Sequence, residues 1–131
     1  KSKFDSFPEH IQQTHQYFRL TCYKVAHDLG YKLTESVKWG QLSITTKGGT
    51  PIRIDWQEKQ SDVFSVFCHC QTKLIETFRQ LYPSLTFIKT REWQISRYDE
   101  FPSDVVIHLI QTAFQYQKLK NEPLLGQSPR V

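Results

Sequence analysis

The chain reads as an α+β domain: a twisted, mainly antiparallel sheet of about five strands flanked by three helices, in an order close to α-β-β-β-β-α-β-β-α. Three observations lead there. Apolar residues from Phe7 to Leu29 recur at three- and four-residue steps, the spacing of one helix face. Between Val37 and Trp56 the pattern changes to alternation on either side of Gly48-Gly49, which is the pattern of a hairpin. Two more stripes at helical spacing, Leu74 to Tyr82 and Val105 to Phe114, are separated by short strand-like runs.

Each element has a local cause. Ser6-Phe7-Pro8-Glu9 reads as a helix start, with Ser6 able to cap a free N–H and Glu9 able to reach back. Gly30 suits a left-handed helix end. In the strands, Val37, Trp39, Leu42, Ile44, Ile52, Ile54 and Trp56 form one apolar parity, predicted to face the helices. Lys38, Ser43, Thr45, Arg53, Asp55, Gln94 and Ser96 form the polar parity. Pro51 is tolerated at a strand start. Residues 62–70 are apolar on both parities, which predicts a strand covered on both faces. Pro83 closes the second helix, strands follow at 85–89 and 92–97, and the last helix starts near Pro102-Ser103-Asp104.

At 131 residues and 38% hydrophobic, one compact domain is expected over residues 1–120, followed by an irregular tail at 121–131 that wraps the surface or is mobile. No apolar run approaches membrane-spanning length, and the first ten residues carry no apolar signal segment. Three cysteines form an odd set, and Cys68 and Cys70 are too close along a strand for relaxed disulfide geometry. A reduced, cytoplasmic setting is the expectation. The formal charge is +4, but Lys and Arg are scattered among acids. Nucleic-acid binding needs a coherent cationic stripe, so no nucleic-acid and no membrane partner is expected.

The segment E-x-V-K-W-G at residues 35–40, followed by GTPIRIDW at 49–56, resembles the bacterial YdhG-like family, a domain of unknown function. FCHCQTKLIETFRQLYP at 67–83 and YQKLKNEPLLG at 116–126 are similar to one branch of it. The resemblance covers nearly the whole chain and implies a sheet flanked by helices. At residues 87–92, where related sequences tend to carry Phe-Glu-Gly-Asn-Arg-Ala, only Phe87 and Arg91 are kept. One branch of the family is reported as a frataxin-like iron chaperone, so an iron role is implied as an alternative. Such a role needs clustered carboxylates, whereas the acids here are isolated or, like Asp5, Glu9 and Asp104, placed where helix starts favour them.

No catalytic or cofactor motif stands out, and no cofactor or resident metal is expected. Cys68-His69-Cys70 lacks the four converging ligands of a zinc site, and on a continuous strand His69 points away from both thiols. Cys70 is kept as a candidate reactive thiol because the next helix begins just after it. That leaves an unrecognised cysteine-dependent enzyme as a further alternative. The favoured candidate is the polar sheet face: Arg53 as a planar fork for a carboxylate or phosphate, Asp55 to orient it, and Lys38 as an added point charge. Trp39 and Arg91 complete the predicted site. The expected activity is non-enzymatic binding of a small anionic molecule or an acidic protein surface, by a monomer or a homodimer.

Overall fold

A computed structural model describes residues 3–127. A 3-10 turn, Lys3–Ser6, leads into α1 (Glu9–Leu29). Four strands follow, β1 (Leu33–Lys38), β2 (Gln41–Thr46), β3 (Ile52–Trp56) and β4 (Val63–Cys68), then α2 (Leu74–Leu81). The chain continues through β5 (Thr86–Ile88), β6 (Glu92–Ser96), α3 (Ser103–Phe114) and a short α4 (Tyr116–Leu119). All strand pairs are antiparallel, in the order β1-β2-β3-β4-β6-β5. The α+β class holds, with six strands rather than five and a fourth, single-turn helix.

The layers follow from strand parity. Residues paired directly across an antiparallel ladder share a face, so Leu42, Ile54, Val66 and Trp93 lie in one row and Ile44, Ile52 and Cys68 in the next. These rows join Phe18, Cys22, Phe78, Leu109, Ile110 and Phe114 from the helices in one buried cluster. The other parity, carrying Ser36, Ser43, Arg53, Phe67 and Glu92 in one row, contributes nothing to that cluster. The result is two layers, helices beneath and an outer sheet face above.

Several local expectations are corrected. Ser6 does not cap α1; its Oγ donates to the Lys3 carbonyl, and Pro8 takes the cap position with no side-chain bond. Instead, the Gln12 amide donates to the Phe7 carbonyl at 2.8 Å, and the Pro8 carbonyl accepts from the Ile11 and Gln12 N–H groups. Gly30 ends the helix at φ 76° as predicted. Residues 62–70 do not form a strand covered on both faces: β4 is central, but Val63 and Phe67 sit half-buried on the outer face. Val37 and Trp39 are not buried in the core, being 62% and 88% exposed. Val37 shares the face of Leu42 but stands near the end of the edge strand, and Trp39 belongs to a turn.

The segment after residue 120 is more ordered in its packing than its composition suggests. Pro123–Gly126 forms a turn with Leu124 and Leu125 at φ 50° and 52°, Leu125 is 1% exposed within the core cluster, and the Gln127 carboxamide meets His108 at 2.6 Å. Residues 128–131 of the expected tail lie outside the described residues.

At the N-terminus, Phe4 and Phe7 close over His15, with ring centroids 4.7 and 5.6 Å away, and Phe64 stands beneath it. His15 Nε2 is buried without a hydrogen-bond partner among the described residues. Burial therefore holds this imidazole below its ordinary pKa, against a weaker opposing pull from Asp55. A depressed histidine pKa means that the unfolded chain takes up the proton first as pH falls. Stability is then full above the unfolded value near 6.5 and declines as pH drops through the folded value. His15→Phe keeps an aromatic filler and removes the titration. Urea melts in mildly acidic and neutral buffer should show the wild type losing more stability on acidification than the variant; equal losses would discard this account.

Candidate functional site

The β1–β2 connection is a two-residue turn, Trp39-Gly40, with φ 55° and 75°. Positive φ at both central residues is the geometry whose twist matches a hairpin. Glycine adopts it freely; a tryptophan there is strained by roughly 1–2 kcal/mol. The bulky ring is thereby set at the end of the sheet, in water.

Beside it, on the outer face, lies a cleft of about 230 Å³ lined by Trp39, Gln41, Arg53, His69, Cys70 and Arg91, with Phe67, Pro51 and Cys68 completing its walls. Three stretches of chain build it. Arg53 stands mid-strand on β3, directly opposite Phe67 of β4. β4 ends at Cys68 and the chain turns, so the opposed directions expected of Cys68, His69 and Cys70 on a continuous strand do not apply beyond Cys68. Arg91 ends the tight β5–β6 turn, and its carbonyl accepts from the Cys68 N–H at 2.8 Å, which pins the turn to the end of β4.

The electrostatics of the cleft rest on a contrast among the arginines. Arg19 forms a two-point pair with Glu35, Arg79 donates to the Lys89 carbonyl, and Arg97 lies 3.8 Å from Asp62. The side chains of Arg53 and Arg91 have no hydrogen bond or ion pair among the described residues, and both line this cleft. None of the lining residues is a carboxylate.

Asp55 was expected to orient Arg53, and it does not. Its carboxylate is 3% exposed and is engaged by Lys3, whose Nζ is 2.9 Å from Oδ1, and by the Gln41 amide, 3.3 Å from Oδ2. The Lys3 contact is Coulombic and off the hydrogen-bond direction, since Oδ1 has no hydrogen-bond donor among the described residues. Asp55 is thus neutralised from the N-terminal turn, and the positive charge of Arg53 stays uncompensated. Lys38 also lies outside the cleft; it is exposed at the end of β1, opposite Gln41. Four of the predicted residues, Trp39, Arg53, Arg91 and Cys70, do come together.

Two lining residues escaped the sequence reading as binding groups. Gln41 shares the polar parity with Ser43, so strict alternation through the start of β2 points to it. For His69, the sequence points only to metal ligation or a catalytic pairing. The Gln71 N–H donates to its Nδ1 at 3.1 Å, which leaves Nε2–H as the donor of the neutral ring.

The thiols differ sharply. Cys22 and Cys68 are buried, with burial raising the Cys22 pKa strongly and that of Cys68 to about 12, while Cys70 is exposed. Cys70 does not sit at a helix start, because α2 begins at Leu74. No hydrogen bond joins it to His69 or to another base among the described residues, so the nucleophile–base contact of a cysteine enzyme is not formed. No group of three or more His, Cys, Asp or Glu side chains among the described residues could hold a metal ion. No helix among the described residues is long and apolar enough to cross a membrane.

Comparison of the chain with protein-family models, with curated proteins and with solved structures yields no match. The chemistry of the cleft therefore has to be read from its own geometry.

Proposed function

We propose that this protein is a non-enzymatic binding module of the reduced cytoplasm, holding a small anionic molecule, or an acidic group of a partner, between Arg53 and Arg91. One observation carries the reading: the two described arginines whose side chains lack a partner line the same cleft. A guanidinium presents a rigid fork of donors that matches carboxylate and phosphate oxygens in pairs. Held on a strand and a pinned turn, the two forks need little rearrangement to accept a ligand, which lowers the ordering cost of binding. The YdhG-like resemblance is compatible with such a module, since Arg91 belongs to the part of its loop that this chain keeps. Iron handling finds less support, given the separation of the acidic side chains.

Cys70 supplies a reporter within the cleft. Inorganic phosphate and small dicarboxylates, added to the folded protein, should slow iodoacetamide modification of Cys70 in a saturable way. Arg53→Ala should weaken that protection roughly 10-fold or more, the worth of a charge-assisted contact of about 1.5–3 kcal/mol. Arg91→Ala should have a smaller effect, because Arg91 is more exposed. Modification rates that ignore every anion offered, or protection that survives Arg53→Ala, would remove the reading.

A further inference from the structure

The cleft and the ring at its rim together point to a ligand class. We infer that the preferred ligand is a phosphomonoester joined to a planar ring, its phosphate in the Arg53–Arg91 cleft and its ring stacked on Trp39. This deepens the proposed anion site and rests on it.

The cleft offers donors of several kinds to one small volume: two guanidinium forks and the Nε2–H of His69. A tetrahedral dianion with three terminal oxygens can use all of them, whereas a flat carboxylate has two oxygens to offer. Gln41 adds the opposite function. Its amide nitrogen is committed to Asp55, so its Oε1 is left to accept from a hydroxyl or a protonated phosphate oxygen. At about 230 Å³ the cleft is smaller than the roughly 300–1,000 Å³ of typical small-molecule pockets. It has room for a phosphoryl group and a short linker, not for a whole nucleotide, so an attached ring has to lie outside.

What waits outside is Trp39. It is 88% exposed and held at φ 55°, in a turn position that Asn or Gly would occupy with less strain. Neither core packing nor turn chemistry explains an indole there. An aromatic face beside an anion site is how proteins hold a base or another flat heterocycle next to its phosphate. Backbone strain retained at a position with no structural benefit accords with a binding role.

The test compares adenosine 5′-monophosphate, pyridoxine 5′-phosphate, ribose 5-phosphate, inorganic phosphate and adenosine by titration calorimetry. Both ring-bearing phosphates should bind about tenfold tighter than ribose 5-phosphate, and adenosine alone should bind weakest. Trp39→Asn relaxes the turn while removing the ring, so folding is retained; it should erase the tenfold preference and leave phosphate binding in place. Trp39→Phe should keep most of the preference. Arg53→Ala should weaken binding of all the phosphates roughly 10-fold or more. Equal affinities for ribose 5-phosphate and the ring-bearing ligands, all weakened in Arg53→Ala, would overturn the ring inference and leave the anion site standing. A ring preference that persists in Trp39→Asn would also overturn it. No binding by any phosphate would overturn both.

Discussion

Trp93→Ala is expected to lower the stability of the domain by about 3–5 kcal/mol, the range for removing a large aromatic side chain from a packed core. Trp93 is 1% exposed and stands on β6 between Val66 of β4 and Phe87 of β5, stacked on the Phe87 ring at 5.9 Å. Together with Ile95 it packs the β5–β6 hairpin against the core side of the sheet. Domains are stable by only about 5–15 kcal/mol, so such a loss takes away much of the total. Urea unfolding followed by circular dichroism would measure it, and a loss below about 1 kcal/mol would show that the indole is not packed as described. Trp93→Phe fills part of the space and should cost less. The β5–β6 turn carries Arg91, so a loosened hairpin would also weaken anion binding without any change in the cleft's own residues.

Gly49→Ala should cost about 1–3 kcal/mol through overpacking. The reason is a docking contact rather than a turn conformation. A Cβ at Gly49 would meet Thr46 Oγ1 at 2.7 Å, the Ala113 carbonyl oxygen at 2.9 Å and Phe114 Cα at 3.0 Å. Two of these belong to the backbone of α3 and cannot swing aside. The same tip is tied down by hydrogen bonds: the Thr50 N–H donates to the Ala113 carbonyl, Thr46 Oγ1 donates to the Phe114 carbonyl, and the Gln117 N–H donates to the Gly48 carbonyl. The first two of these bonds occupy carbonyls at the end of α3, which has no lysine, arginine or histidine in its last turn. Gly48→Ala makes a useful comparison. Gly48 has open space around it, so its cost comes only from φ 84°. Thermal melts should place both variants below the wild type, and a Gly49→Ala midpoint at the wild-type value would disprove the close contact.

The fold was legible because its causes are local and repeated. Alternation in 41–46 and 52–56 separates Ile44, Ile52 and Ile54, which join the core cluster, from Ser43 and Arg53 on the other face, although Ser43 and Asp55 on that face are also buried. The stripe along α1 and the left-handed Gly30 are equally local. Misreadings arose where one residue had two physical explanations. Phe67 on the polar parity of β4 suggested a second covering layer, but it faces Arg53 across the ladder and helps wall the cleft. Trp39 continued the apolar parity of Val37, yet the chain reverses at Trp39-Gly40, and parity has no meaning across a turn. The hairpin expected across Gly48-Gly49 is formed by β2 and β3, but through a longer connection, 47–51, held by α3; the tighter reversal lies at Trp39-Gly40.

The sequence alone determined the periodicities, and through them which side chains leave water and which sheet face stays polar, because burial of alternating strands is decided residue by residue. It also placed Arg53 on that outer face. Only the tertiary structure decided which charges are cancelled. Lys3 and Gln41 reach Asp55 from distant segments, and the β5–β6 turn brings Arg91 beside the end of β4. Coulomb energy depends on separation in space and not along the chain, so the uncompensated pair Arg53 and Arg91 exists only once the sheet is assembled.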